Sequence, residues 1–346
     1  MSSIFVPLEL SGANRTIRTL FVQQKSLGSN LTKVYCPFVR NTAAIAVYLL
    51  IVFIGAAIMA PVAWMAVFSD APALSFLNFL ESHDDFHRYF NRCLMLLALL
   101  GLSILWRVTK IGSWTELGWA DFPNAKKNIG MGLLIGLASL MAVAALGLIF
   151  EAREFRPAHP LGEWGKHWLN TLGAAIVLGI LEETLFRGML FGLLRRDMNW
   201  RWAAVFSALL FACVHFIDQR PTISEITWNT GFTAFPQFIH DFANDPHWPA
   251  YAVNLFLAGL ILAGAFQRTG NLFVVIGIHA GWIIALKTNS FISSPVNTHV
   301  FWGDNKTSDG WVATPLLAAM AWYIFCLLYT SPSPRDQRGS RMPSSA

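Results

Sequence analysis

Between positions 43 and 325 the chain keeps returning to apolar runs about as long as a lipid bilayer is thick. A helix rises about 1.5 Å per residue, so roughly 20 mostly apolar residues cross the ~30 Å hydrocarbon layer. Runs of this kind lie at 43–68, 93–108, 129–150, 168–194, 202–217, 251–266, 272–286 and 311–325, the second and fifth being short. Backbone polar groups inside a bilayer must be satisfied within the segment, which an α-helix does. The expected fold is therefore all-α: a polytopic membrane protein of about eight transmembrane helices in one membrane domain, residues 41–325. The charged fraction agrees, at 13% against about 25% in a soluble domain.

The two ends read differently. Residues 1–40 mix polar and apolar positions and form the expected cytoplasmic tail. From Cys326 the text runs CLLYTSPSPRDQRGSRMPSSA. This segment, 326–346, resembles the translation of sequencing adapters flanking a short index, and it is set aside as non-native read-through. Without its three Arg and one Asp, the formal charge of +5 falls to about +3. That is too small to suggest nucleic acid. Lys and Arg gather instead in the tail and in alternate loops: Arg107, Lys110, Lys126 and Lys127; Arg195, Arg196 and Arg201; and Arg268. The positive-inside rule puts these in the cytoplasm, as expected of a multi-pass protein of a bacterial inner membrane. Cys36, Cys93, Cys213 and Cys326 form no C-x-x-C pair and imply neither a disulfide framework nor a zinc knuckle.

Three stretches carry polar groups inside apolar runs. In LEETLFRGML, Leu181 to Leu190, Glu183 and Arg187 stand four apart on one helix face, carboxylate first. Glu182 points about 100° away and has no local partner, which makes it costly to bury and a candidate functional group. In FACVHF, Phe211 and His215 share a face near a helix end. In TGNLFVVIGIHAGW, a tight turn at Gly270 opens a helix with His279 at mid-span between Gly277 and Gly281, small residues suited to close helix packing. A desolvated carboxylate can take a proton from water, and an imidazole can orient that water or stabilise an oxyanion. The implied chemistry is acyl hydrolysis without a covalent intermediate. No H-E-x-x-H motif is present, although a Glu/His/His metal site stays open on ligand type alone.

E-E-x-x-x-R, F-x-x-x-H and a later helix bearing a second functional His, in that order, resemble the CPBP family. These are the CAAX prenyl endopeptidases and the bacteriocin-processing and immunity proteins, also called the Abi family. The likeness covers 171–286, within a motif-bearing core of 168–288. It implies an intramembrane glutamate protease fold with no cofactor and no metal. Glu182 would be the general base, His215 would position water, and His279 would contribute to the oxyanion hole. Glu183, Arg187 and Phe211 would be supporting residues. The implied partners are membrane lipid and a peptide or lipidated-protein substrate. Oligomeric state stays open. The family's last motif often carries Asn four residues after its His; here that position is Ile283, and Asn254 is the speculative replacement donor.

Two readings remain. One is a membrane endopeptidase. The alternative is a catalytically weak or inactive relative acting as an immunity or partner-binding protein. The aromatics of the expected long loop 217–250, among them Trp228, Phe232, Phe235, Phe238 and Trp248, suggest either an interfacial lid or a membrane belt. Topology is directly testable: reporters fused after Arg40, Lys127 and Arg196 should report cytoplasm, and those near Glu154 and Asp241 the opposite side. The reverse pattern would overturn the orientation.

Overall fold

The computed structural model describes residues 40–68, 86–156, 158–215, 223, 225–296, 298–304 and 306–330. The expectations for the N-terminal tail and for 331–346 lie outside the described residues, Arg40 excepted. Ten α-helices are described: α1 (Arg40–Val67), α2 (Phe86–Thr109), α3 (Ala125–Ile149), α4 (Leu161–Glu183), α5 (Gly192–Asp197), α6 (Trp200–Val214), α7 (Thr230–Asn244), α8 (Trp248–Thr269), α9 (Leu272–Ile292) and α10 (Ala313–Thr330). Thr184–Phe191, between α4 and α5, is π-helical, so the chain runs helically from Leu161 to Asp197.

The chain is a mostly helical, multi-pass membrane protein. The count of eight spans is not reached on length and composition. Among the described residues, five helical segments are long and apolar enough to cross a membrane: Arg40–Val67, Phe86–Thr109, Phe122–Ile149, Trp248–Thr269 and Leu272–Ile292. Trp200–Val214 and Ala313–Leu328 are apolar but shorter. The second run, expected to be short, gains length because its helix already begins at Phe86. A second correction concerns 217–250, which is not one long loop. It contains α7, whose Phe238 packs inward on Phe90 with ring centroids 5.5 Å apart. Phe232, Phe235 and Ile239 stay on its exposed face. The period of the aromatics was that of an amphipathic helix.

Glycines bring α3 and α9 together. A methyl group on Gly277 would meet the carbonyl oxygen of Ile129, and one on Gly281 would lie 2.6 Å from that of Leu133. Reciprocally, Gly132 faces the Val274 carbonyl and Gly136 that of Ile278. Two small-x-x-x-small stripes therefore interlock backbone against backbone. Trp282 adds a hydrogen bond from Nε1 to Ser139 Oγ at 2.9 Å. The far ends of these helices are joined by a short antiparallel ribbon, β1 (Arg153–Phe155) with β2 (Ser293–Pro295), in which Glu154 opposes Ser294. Buried Arg153 donates to Ser293 Oγ at 3.0 Å and to the Asp304 carbonyl at 2.8 Å, tying the 299–312 loop to the ribbon. Asp309 holds that loop by accepting from the backbone N–H groups of Asp304 and Lys306. Burial pushes its carboxyl up to about 6 despite those donors.

The basic loops converge on the opposite end of the bundle. Arg196 donates to the Thr109 carbonyl at 2.9 Å and pairs with Glu116. The Gly112 N–H and Arg196 together hold the Glu116 carboxyl below its ordinary range. Asp197 caps the start of α1, accepting from Thr42 N at 2.7 Å and from Asn41 Nδ2 at 2.6 Å. Leu272 N–H donates to the Gly118 carbonyl at 2.9 Å, bringing the turn at Gly270 to the same end.

The glycine interlock can be tested by overpacking. Gly277→Ala should destabilise the protein by about 1–3 kcal/mol. Gly130→Ala, on the facing helix α3 but with nothing within 4 Å of the added carbon, should leave stability unchanged or raise it. Unfolding in detergent should separate the two variants, and equal behaviour would refute the interlock.

Candidate active site

Glu183 is fully buried where α4 passes into the π-helical turns. In an apolar medium its charge needs a partner. Arg187, also fully buried, supplies one, with Nη1 2.9 Å from Glu183 Oε1. The guanidinium lies 4.4 Å from the centre of the Phe211 ring and points a second nitrogen at the Gly259 carbonyl, 3.5 Å away. The same Glu183 oxygen receives His279 Nδ1 at 2.7 Å. A carboxylate only accepts, so His279 carries its hydrogen on Nδ1 there and turns Nε2 away from Glu183. This second contact of Glu183 spans 96 positions of sequence. Residue spacing showed only the Arg187 half of it.

His279 Nε2 faces Glu182, with Oε2 at 4.0 Å. That distance is beyond a hydrogen bond and within reach of one shared water. Glu182 Oε2 is buried without a hydrogen-bond partner among the described residues, as are Glu183 Oε2 and Arg187 Nε. The side chain of Glu182 nevertheless keeps about 21% of its surface exposed, toward a cleft of about 660 Å³. His215 borders the same cleft. Its Nδ1 donates to the Phe211 carbonyl at 2.7 Å, which leaves Nε2 as its second ring nitrogen. Phe211 touches both imidazoles, with ring centroids 4.6 Å from His215 and 6.0 Å from His279. Glu182, His215 and His279 thus border one cleft, and Glu182 and His279 are the pair in mutual reach.

Asn254 is a correction. Its side-chain N–H groups go to the Ser308 and Gly310 carbonyls at 2.9 and 3.0 Å, and its Oδ1 accepts from Thr314 Oγ1 at 2.8 Å. With both donors spent on the loop before α10, it fastens that loop and is not a spare oxyanion donor. Ile283 lines the cleft one turn beyond His279, so no side-chain donor comes from that position either. No group of three or more His, Cys, Asp or Glu side chains among the described residues is arranged to hold a metal ion.

Several cleft residues were not anticipated: Arg156, His167, Tyr251, Lys287 and Lys306. Lys287 left a trace in the sequence, as a lone cation at the end of an apolar run, eight residues after His279. The others come from loops and helix ends that only the fold brings together. The π-helical turns after Glu183 also went unseen; such turns recur at functional sites.

Residues 164–285 match the family model described as Type II CAAX prenyl endopeptidase Rce1-like. The match covers about a third of the chain and takes in the stretches bearing Glu182, Glu183, Arg187, His215 and His279. No curated protein matches the chain. The motif-bearing segment, residues 164–285, is therefore similar to the CAAX prenyl endopeptidases that this family model describes, within a multi-pass membrane protein.

Proposed function

We propose that this protein is an intramembrane endopeptidase that hydrolyses a peptide bond in a membrane-associated or lipid-modified substrate, with Glu182 activating water. One observation carries the reading: of two adjacent carboxylates, Glu183 is engaged by Arg187 and His279, while Glu182 has an unpartnered oxygen beside His279 Nε2 and the cleft. In this scheme Glu182 takes a proton from water as the water oxygen bonds to the scissile carbonyl carbon. The carbonyl oxygen becomes an oxyanion. When the C–N bond breaks, the proton passes from Glu182 to the leaving nitrogen, and the new carboxyl group gives up its own proton to the amine, so a carboxylate and an ammonium remain. The 4.0 Å approach favours His279 as the imidazole that touches the same water. His215 has Nε2 left to donate to the oxyanion when protonated, which exchanges the two roles that the family resemblance implied. The mechanism uses no metal.

Arg156, Lys287 and Lys306 mark the end of the cleft away from the basic loops. If those loops are cytoplasmic, the cleft opens toward the extracytoplasmic side, and its substrates are exported or outer-leaflet molecules.

Ile283 favours a second reading, a scaffold that binds a partner without turning it over. Ile283→Asn discriminates. It should raise the rate if an oxyanion donor is missing, since such donors contribute about 10²–10³ in kcat. An unchanged rate in an active enzyme would mean that the donor comes from elsewhere.

The central substitutions separate chemistry from structure. Glu182→Gln should lower cleavage of a prenylated reporter peptide by at least about 10²-fold while the protein stays folded. Glu183→Gln should cost about 3–5 kcal/mol of stability, because it leaves Arg187 buried without its charge partner. Activity of purified protein and unfolding in detergent measure the two effects. Full activity in Glu182→Gln would rule out the glutamate base, and inhibition by chelators reversed by zinc would point to a metal instead.

A further inference from the structure

A separate pocket of about 480 Å³ lies at the basic end of the bundle, bordered by Glu116, Gly192, Arg195, Arg196, Asn199 and Gln267 among others. It shares no residue with the cleft that holds Glu182. Arg195 is the group there without a counter-charge. Its half-buried guanidinium lies 4.9 Å from the centre of the Phe191 ring and 5.3 Å from that of Phe266. Nη1 donates to Gln267 Oε1 at 2.8 Å, the one hydrogen bond that its five N–H groups make among the described residues. Nε is buried with no partner among those residues. The carboxylates of this end are taken: Glu116 by Arg196 and the Gly112 N–H, and Asp197 by Asn41 and Thr42. Aromatic faces attract a cation without neutralising it, and a partly desolvated charge lacking an anion is costly.

The rest of the wall suits an anion. Arg196 and Glu116 balance each other, so the charge left over among the described lining residues is that of Arg195. Asn199 and Trp200 stand at the start of α6, a helix of 15 residues, and bring the positive end of its dipole to the same wall. Gly192 leaves room, since a methyl group there would meet only the Arg187 carbonyl oxygen, at 3.8 Å. A planar guanidinium with unused donors matches the oxygens of a phosphate. We propose that this pocket binds a phosphate-bearing anion, with Arg195 as its charged donor. The phosphate can come from the headgroup of an anionic lipid or from free phosphate in the water. Trp200 on the wall favours the lipid, because Trp collects at the level of the headgroups. The site does not depend on the hydrolytic reading of the cleft.

The test uses the full chain in dodecyl maltoside, a detergent without phosphate, and native mass spectrometry to count bound molecules. The probes are dioleoyl phosphatidylglycerol, dioleoylglycerol, which has the same chains and no phosphate, and inorganic phosphate. Arg195→Gln should weaken binding of phosphatidylglycerol by about 10–100-fold, as expected for a charge-assisted hydrogen bond. Gly192→Met keeps every charge and should abolish that binding by filling the pocket. Arg268→Gln removes an exposed cation one residue from Gln267 and outside the pocket, and should leave binding unchanged. Saturating ligand should raise the unfolding midpoint of the unmodified protein and leave that of Gly192→Met where it was.

The source of the phosphate follows from the same titrations. Inorganic phosphate that binds with the same dependence on Arg195 and displaces the lipid assigns the pocket to free phosphate. Lipid binding that inorganic phosphate does not displace assigns it to the headgroup. Both results uphold the phosphate site. Binding that Arg268→Gln weakens as much as Arg195→Gln does would reduce the effect to diffuse attraction toward a basic surface and overturn the proposal. Equal binding of dioleoylglycerol, undiminished binding by Gly192→Met, or no binding of either phosphate probe would overturn it as well.

Discussion

A single buried carboxylate oxygen, Glu183 Oε1, accepts from Arg187 at 2.9 Å and from His279 at 2.7 Å. A buried ion pair of this kind is weak evidence for stability, since desolvation consumes most of the Coulombic gain. What it provides is orientation. The contact fixes which nitrogen of His279 carries hydrogen and which faces Glu182. It also holds Arg187 against Phe211, the ring that touches both His215 and His279. Were Glu183 absent, Arg187 would be an unpaired buried charge and His279 would lose its alignment.

That alignment needs α4 and α9 to hold a fixed register. The interlocked glycines of α3 and α9 leave no room for side chains between the two backbones, so α9 has little freedom to slide or rotate. The ribbon of Arg153–Phe155 with Ser293–Pro295 closes one end of this pair, and the Gly118–Leu272 hydrogen bond closes the other. Asn254, spending both donors on the loop before α10, fixes the wall that bears Lys306 and Ser308. The cleft is thus bounded by elements whose backbone contacts are short and numerous, which suits a site that must hold reacting groups to within a fraction of an ångström.

Much of the membrane architecture was legible because hydropathy and helix length are local properties. Each expected apolar run contains a helix, although among the described residues only five segments are long and apolar enough to count as spans. The Glu183–Arg187 pair was readable from helical spacing. The Glu183–His279 contact was not, since nothing local links two residues 96 positions apart. Asn254 misled for a related reason: a polar residue in an apolar run signals that a partner exists but not which one, and here the partners are backbone carbonyls of a distant loop. The amphipathic period of α7 was present in the sequence but hidden by Pro236 and by the polar residues around it.

The account depends on the two adjacent glutamates having different surroundings. An experimental density map of the full chain in a lipid bilayer, at a resolution that shows ordered water, tests this most directly. The account predicts Glu183 between His279 Nδ1 and Arg187, with a water about 2.6–3.2 Å from both Glu182 Oε2 and His279 Nε2. A map with the carboxylates exchanged, Glu182 on Arg187 and Glu183 facing the cleft, would contradict it.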